Sequence, residues 1–229
     1  IELVDSNIWL FGNDSNIQVL DANMNLLDAI TFDAFDKIYK ILFYNEYVFA
    51  IVSDQNGQYL AQLSNIGTPY YLNKYNSFNI NDSFVTIDEL NDVYIKDDII
   101  YLATNLGVIK ADLIDYNNNN LSILLDWNFE NQFETLSIYE DNLDNIFYTY
   151  YENSELCNSN TNICMNYNLS EYIDGFYYQG STYLLFNNIL YKDDGSFITT
   201  VFELPDNIKS NFRTVSVFQN IFYFGLKNH

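Results

Sequence analysis

Residues 92–115 read DVYIKDDIIYLATNLGVIKADLID, three short strands joined by two tight turns. Val93-Tyr94-Ile95 is a β-branched and aromatic run, the residue types a pleated surface favours. Asp97-Asp98 interrupts it, and short carboxylates suit a turn because they bond nearby backbone groups. Ile99 to Ala103 is apolar at consecutive positions, as in a strand covered on both faces. Thr104-Asn105-Leu106-Gly107 is a second turn, ending on a glycine that can take a positive φ. Val108 to Leu113 then alternates as a half-exposed strand does. Leu121 to Asp126 supplies a fourth strand. Four strands in about 40 residues is the size of one propeller blade.

Weaker copies recur along the chain. Anchored on the second strand of each unit, the repeat passes through Trp9, Phe49, Tyr101, Phe147, Tyr183 and Phe222, at intervals of 40, 52, 46, 36 and 39 residues. A polar pair precedes each anchor, for example Asn45-Glu46, Asp97-Asp98 and Gln219-Asn220. The units run from residue 1, from 37 to 77, from Phe84, from 129 to 170 and from 172 to 204, with a sixth begun at Phe212 to Leu226. Asn56-Gly57 is the strongest short hairpin signal. No stretch has helical periodicity. The expected fold is all-β: a β-propeller of five to six blades built of four-stranded antiparallel sheets, or part of a larger one. Residues 1–229 are expected to form a single such domain, either whole or a fragment of a longer chain.

Ile100-Tyr101-Leu102-Ala103-Thr104-Asn105-Leu106-Gly107-Val108 resembles the repeat of two-component-regulator-type β-propellers, in which a hydrophobic and aromatic strand runs into Gly/Ala-Thr-x-x-Gly and a further aliphatic residue. The resemblance covers residues 93–115. The other units lack the threonine and most lack the glycine; Phe11-Gly12-Asn13 and Phe224-Gly225-Leu226 keep fragments. It implies an extracytoplasmic sensor or protein-binding module, by analogy of fold.

Composition bounds the function. The chain has 31 acidic and 9 basic residues, a net charge of −22. Phosphate binding needs clustered Lys and Arg, so nucleic acid and anionic membrane surfaces are excluded as partners. A basic protein partner is compatible with that charge. No apolar run reaches the length of a membrane span. The single histidine is the last residue, His229, which excludes Ser-His-Asp and Cys-His catalysis. Phosphate-cradling glycine motifs are missing as well, and no cofactor is expected. Paired carboxylates remain open as glycosidase machinery. The adjacent pairs Asp97-Asp98 and Asp193-Asp194 both fall in turns, as does the calcium-like Asp54-Gln55-Asn56-Gly57, and each is read as turn chemistry.

Cys157 and Cys164 flank the hexapeptide NSNTNI in the longest polar insertion, Glu152 to Asn162. Across a hairpin they would close a disulfide, placing the chain in an oxidising compartment, extracellular, on the cell surface or periplasmic; the alternative is two free thiols. Two cysteines without a nearby histidine do not complete a zinc site. Trp127, expected beyond the outer strand of its unit, is the candidate for stacking on a sugar, with Trp9, Tyr150-Tyr151 and Tyr177-Tyr178 behind it. The expectation is a non-catalytic protein-binding or scaffold module. A glycan-binding propeller and a carboxylate-dependent glycoside hydrolase are the alternatives.

Overall fold

The computed structural model describes residues 2–4, 7–11, 16–31, 35–44, 47–64, 70–75, 77–80, 83–115, 121–122, 127–167, 172–187, 189–203, 205, 212–218 and 220–226. These are strands and turns throughout. Five four-stranded antiparallel sheets follow one another in chain order. Blade 1 holds β1 (Glu2–Val4), β2 (Asn7–Leu10), β3 (Asn16–Leu20) and β4 (Leu26–Thr31), and blade 2 holds β5 (Lys37–Tyr44), β6 (Tyr47–Asp54), β7 (Gly57–Ser64) and β8 (Tyr70–Tyr75). After a separate hairpin of β9 (Ser77–Ile80) and β10 (Ser83–Thr86), blade 3 begins with β11 (Leu90–Lys96), β12 (Ile99–Thr104) and β13 (Gly107–Asp112). A short pair, β14 (Ile114–Asp115) and β15 (Leu121–Ser122), intervenes before its outer strand β16 (Asn128–Asn131).

Blade 4 comprises β17 (Thr135–Glu140), β18 (Ile146–Glu152), β19 (Glu155–Asn158) and β20 (Ile163–Met165). Blade 5 comprises β21 (Tyr172–Tyr178), β22 (Ser181–Phe186), β23 (Ile189–Asp193) and β24 (Ile198–Glu203). A two-stranded sheet, β25 (Phe212–Phe218) and β26 (Ile221–Leu226), follows as a sixth unit. The first strand of each unit contacts the first strand of the next, from β1 to β5, β11, β17, β21 and β25. This is the radial order of a β-propeller, with first strands innermost.

The second strands explain their unbroken apolar runs. Val48, Ala50 and Val52 on β6 pack into a core shared with Trp9, Ile17 and Val19 of blade 1. Phe49 and Ile51, between them, pack toward Ile100, Leu102 and Ile109 of blade 3. A strand sandwiched between two blades has no solvent face, so period-2 alternation carries no polar signal. Tyr101 and Ala103 likewise face Ile138 of blade 4, and Tyr183 and Leu185 face Val215 of the sixth unit.

Five of the six anchors occupy equivalent, forward-facing positions. In the sixth unit Thr214 pairs with Gly225 and Ser216 with Tyr223, so Tyr223 is the counterpart of Tyr183. Phe222 instead turns back on Tyr183 and Phe176 of blade 5. Three other expectations shift. Phe84 belongs to the β9–β10 hairpin and not to blade 3. The fourth strand of blade 3 is β16, while Leu121 pairs with Asp115. The polar stretch from Glu152 to Asn162 is two tight turns flanking strand β19, not a long loop.

The motif of blade 3 has a physical basis. Thr104 is fully buried; its hydroxyl donates to the Gly107 carbonyl (2.8 Å) and accepts from the Leu106 N–H (3.0 Å). Gly107 sits at φ 125°, and a Cβ there would lie 2.2 Å from the Asn131 carbonyl oxygen of β16. Only glycine lets the outer strand close on this turn.

Candidate functional site

The innermost strands β5, β11, β17, β21 and β25 surround a cavity of about 340 Å³. Each carries a β-bulge at the same place, between Ile38 and Lys40, Leu90 and Asp92, Thr135 and Ser137, Tyr172 and Asp174, and Phe212 and Thr214. A bulge re-aims the side chain that follows it. Lys40, Asp92, Ser137, Asp174 and Thr214 are therefore structural equivalents around the axis.

They form a belt that staples blade to blade. Lys40 Nζ lies 3.2 Å from Asp92 Oδ1. Asp92 Oδ1 also accepts from its own neighbour, the Val93 N–H (2.8 Å), and Oδ2 from the Ile138 N–H of blade 4 (2.9 Å). Asp174 repeats the device: Oδ1 accepts from the Gly175 N–H (2.9 Å), and Oδ2 from the Val215 N–H (3.1 Å) and the Thr214 hydroxyl (2.6 Å) of the sixth unit. Between blades 4 and 5, Ser137 Oγ and Tyr172 Oη take over at 2.5 Å, with Thr149 as a further partner. The Tyr172 hydroxyl fits because Gly175, three residues on in the same strand, has no Cβ, which would stand 2.8 Å from that hydroxyl.

Electrostatics follow from the packing. Burial pushes the Asp92 carboxyl above the ordinary carboxylate range, the nearby Asp174 adds to the rise, and Lys40 and the Ile138 N–H oppose it. At the cavity rim Glu140 accepts from Lys96 Nζ (2.5 Å) and from the Tyr94 hydroxyl. Desolvation would raise Glu140, but these two donors outweigh it and hold the carboxyl below its ordinary value. Desolvation first, and then the same carboxylate, push the Tyr94 hydroxyl well up. Asp141 accepts from the Leu143 N–H (2.8 Å) and the Asn145 N–H (2.9 Å), a turn that closes the rim.

The cavity walls are aromatic between these groups: Tyr94, Tyr139, Phe176 and Tyr177. Tyr139, Phe147 and Tyr177 form a continuous stack, with centroids 5.5 and 5.8 Å apart. Burial raises the Tyr139 hydroxyl, which Asn158 meets at 2.5 Å. Three lining carboxylates, Glu140, Asp141 and Asp174, stand against one lining ammonium, Lys40. Such a surface receives a cation more readily than an anion.

The sequence candidates fare differently. Trp127 is 2% exposed, wedged edge-on against Phe78 at 4.9 Å and paired through its backbone with Ile80. It precedes the outer strand and plugs the β9–β10 hairpin onto blade 3, so its faces are closed to a sugar. Trp9 is core as well, edge-on to Phe43. Tyr177 of the secondary candidates does line the cavity. Cys157 and Cys164 are register partners across β19 and β20, bonded, with Cα atoms 4.1 Å apart. Glu155 lies beside them, but sulfurs joined to each other offer no thiolate to a metal. His229 lies outside the described residues.

Lys40, Asp92 and Asp174 were not singled out from sequence, yet a signal exists. Each stands nine residues before its anchor, Phe49, Tyr101 and Tyr183, and Thr214 stands nine before Tyr223.

Solved structures resemble this chain in fold. The extracellular domain of a hybrid two-component system from B. thetaiotaomicron superposes with a TM-score of 0.61 at 12% identity, over 98% of this chain and 33% of that one. A catalytically inactive histidine-to-alanine variant of virginiamycin B lyase from Staphylococcus aureus, with quinupristin, gives 0.58 at 10% identity, over 99% and 76%. BamB from Moraxella catarrhalis gives 0.51 at 11%, over 97% and 67%. No protein-family model matches the chain, and no curated protein matches it by sequence. At these identities the likeness is one of fold: the chain is a β-propeller, with a weak resemblance to the extracellular propellers of two-component systems, the family that its blade 3 motif suggested. Among the described residues no helix is long and apolar enough to cross a membrane.

Proposed function

We infer that this propeller is a non-catalytic binding module that grips a basic segment of a partner protein at the mouth of its central cavity. One observation carries the reading. The carboxylates of the cavity are already committed as hydrogen-bond acceptors, Asp174 to the belt, Asp141 to its turn and Glu140 to Lys96 and Tyr94. Groups so fixed are poorly placed to shuttle protons, whereas aromatic rings beside acidic side chains suit recognition of Lys or Arg side chains. The inactive lyase variant lost its activity with one histidine; the only histidine here is His229. The disulfide fits an oxidising compartment, and secretion or surface display is the location that agrees with it.

The test is calorimetric titration with a lysine- and arginine-rich peptide and with its glutamate-rich counterpart, alongside a polysaccharide hydrolysis panel. Salt-sensitive binding of the basic peptide alone, weakened by Tyr177→Ala, is the expected result. Hydrolysis abolished by Asp174→Asn would establish the enzyme reading instead, and equal binding of both peptides would remove the electrostatic argument.

A further inference from the structure

The three carboxylates lining the cavity already accept hydrogen bonds at every oxygen. Asp141 Oδ1 accepts from the Leu143 and Asn145 N–H groups, and its Oδ2 from the Asn145 side-chain amide (2.8 Å). Asp174 Oδ1 accepts from the Gly175 N–H, and its Oδ2 from the Val215 N–H and the Thr214 hydroxyl. Glu140 Oε1 accepts from Lys96 Nζ and Oε2 from the Tyr94 hydroxyl. A lysine ammonium brings three N–H donors and a guanidinium five, and each has to satisfy them on leaving water. At this cavity they compete with the protein's own donors for the carboxylate oxygens. A quaternary ammonium has no N–H and needs only acidic surroundings and ring faces.

The aromatic residues of the wall are braced in place. Phe176 is backed by Tyr183, stacked at 5.2 Å, and Tyr139 and Tyr177 each stack on Phe147. The hydroxyls of Tyr94 and Tyr139 are held by Glu140 and Asn158. Side chains held in this way lose little further freedom when a ligand arrives, and that ordering is one of the costs of binding. A volume of about 340 Å³ lies at the small end of ligand sites, about 300–1,000 Å³, so the cavity has room for a head group and its stem and not for a length of polypeptide. We propose that the cavity selects a trimethylammonium group, carried by a trimethylated lysine of the partner or by a small molecule, over unmodified lysine or arginine. The inference rests on the reading of the cavity as a cation site and names the cation that suits it.

The experiment is calorimetric titration of the whole chain with the lysine- and arginine-rich peptide in three forms: lysines unmodified, lysines trimethylated, and lysines replaced by their uncharged tert-butyl isostere. Free choline is titrated beside them. The trimethylated form should bind about tenfold or more tightly than either of the others, and Tyr177→Leu should bring it within about twofold of the unmodified form. Choline binding more tightly than the trimethylated peptide would make a small molecule the carrier; the trimethylammonium site would stand and the partner-protein reading would fall. Equal or tighter binding of the unmodified peptide overturns this inference and leaves the basic-segment reading standing. Equal binding of the isostere overturns it too, because apolar contact alone would then explain the affinity. Binding of none of the peptides and no binding of choline overturns both readings. The comparison of peptide forms uses the unaltered chain, so it decides the matter even where the variant does not fold.

Discussion

Asp92→Ala tests whether the belt holds the blades together. The substitution leaves the buried N–H groups of Val93 and Ile138 without this acceptor and removes the Asp92 carboxylate from beside Lys40. An orphaned buried donor costs about 1–3 kcal/mol, and breaking a buried ion pair about 3–5. Lys40 keeps 31% of its side chain exposed and can regain water, which places the sum near the low end, about 3 kcal/mol. Asp92→Asn keeps one acceptor and the shape, so about 1–2 kcal/mol is expected. Urea unfolding at pH 7, followed by tyrosine fluorescence and far-UV circular dichroism, measures both. With an m-value of about 2–3 kcal/mol/M the alanine variant should lose about 1 M in midpoint at unchanged m. The pH dependence has a definite sign. Burial holds the Asp92 carboxyl above its unfolded value of 3.8, so folding takes up a proton there. The contribution is full below pH 3.8 and declines as pH rises through the folded value. The advantage of the parent over Asp92→Asn should therefore shrink as pH rises through that window. An Asp92→Ala chain within about 0.5 kcal/mol of the parent would refute the belt.

Gly107→Ala should cost about 3 kcal/mol or more, because the new Cβ meets backbone at 2.2 Å and the φ of 125° is strained for alanine; thermal unfolding reads it directly. Replacing both Cys157 and Cys164 with serine opens a short loop in the unfolded chain and should cost about 2.5 kcal/mol, about 5–10 °C in Tm, matched by the parent under reductant. Glu140→Gln should cost about 1 kcal/mol at pH 7 by denaturant titration. Its carboxyl lies below the ordinary value of 4.5 when folded, so that difference is present above pH 4.5 and disappears as pH falls through the folded value.

The sequence by itself determined the repeat. Turn residues, β-branched and aromatic strands and the spacing of the anchors are local properties, and local sterics dictate them. Asp97 and Asp98 do adopt the left-handed φ values of a tight turn, 50° and 61°, and Cys157 and Cys164 do meet across a hairpin whose register eight residues can specify. What the tertiary structure alone decided lies between blades. Trp127 reads the same whether it stacks on a sugar or plugs a hairpin; what buries it is the core around Phe78, 49 residues away in the chain. Phe222 and Tyr223 are adjacent aromatics, and a single bulge, at Phe212 and Thr214, chooses which one faces forward. Asp92 and Asp174 look like two acids among 31. They become a belt because bulges on separate strands turn each toward the backbone of the next blade, and contacts between distant segments leave no trace in local composition.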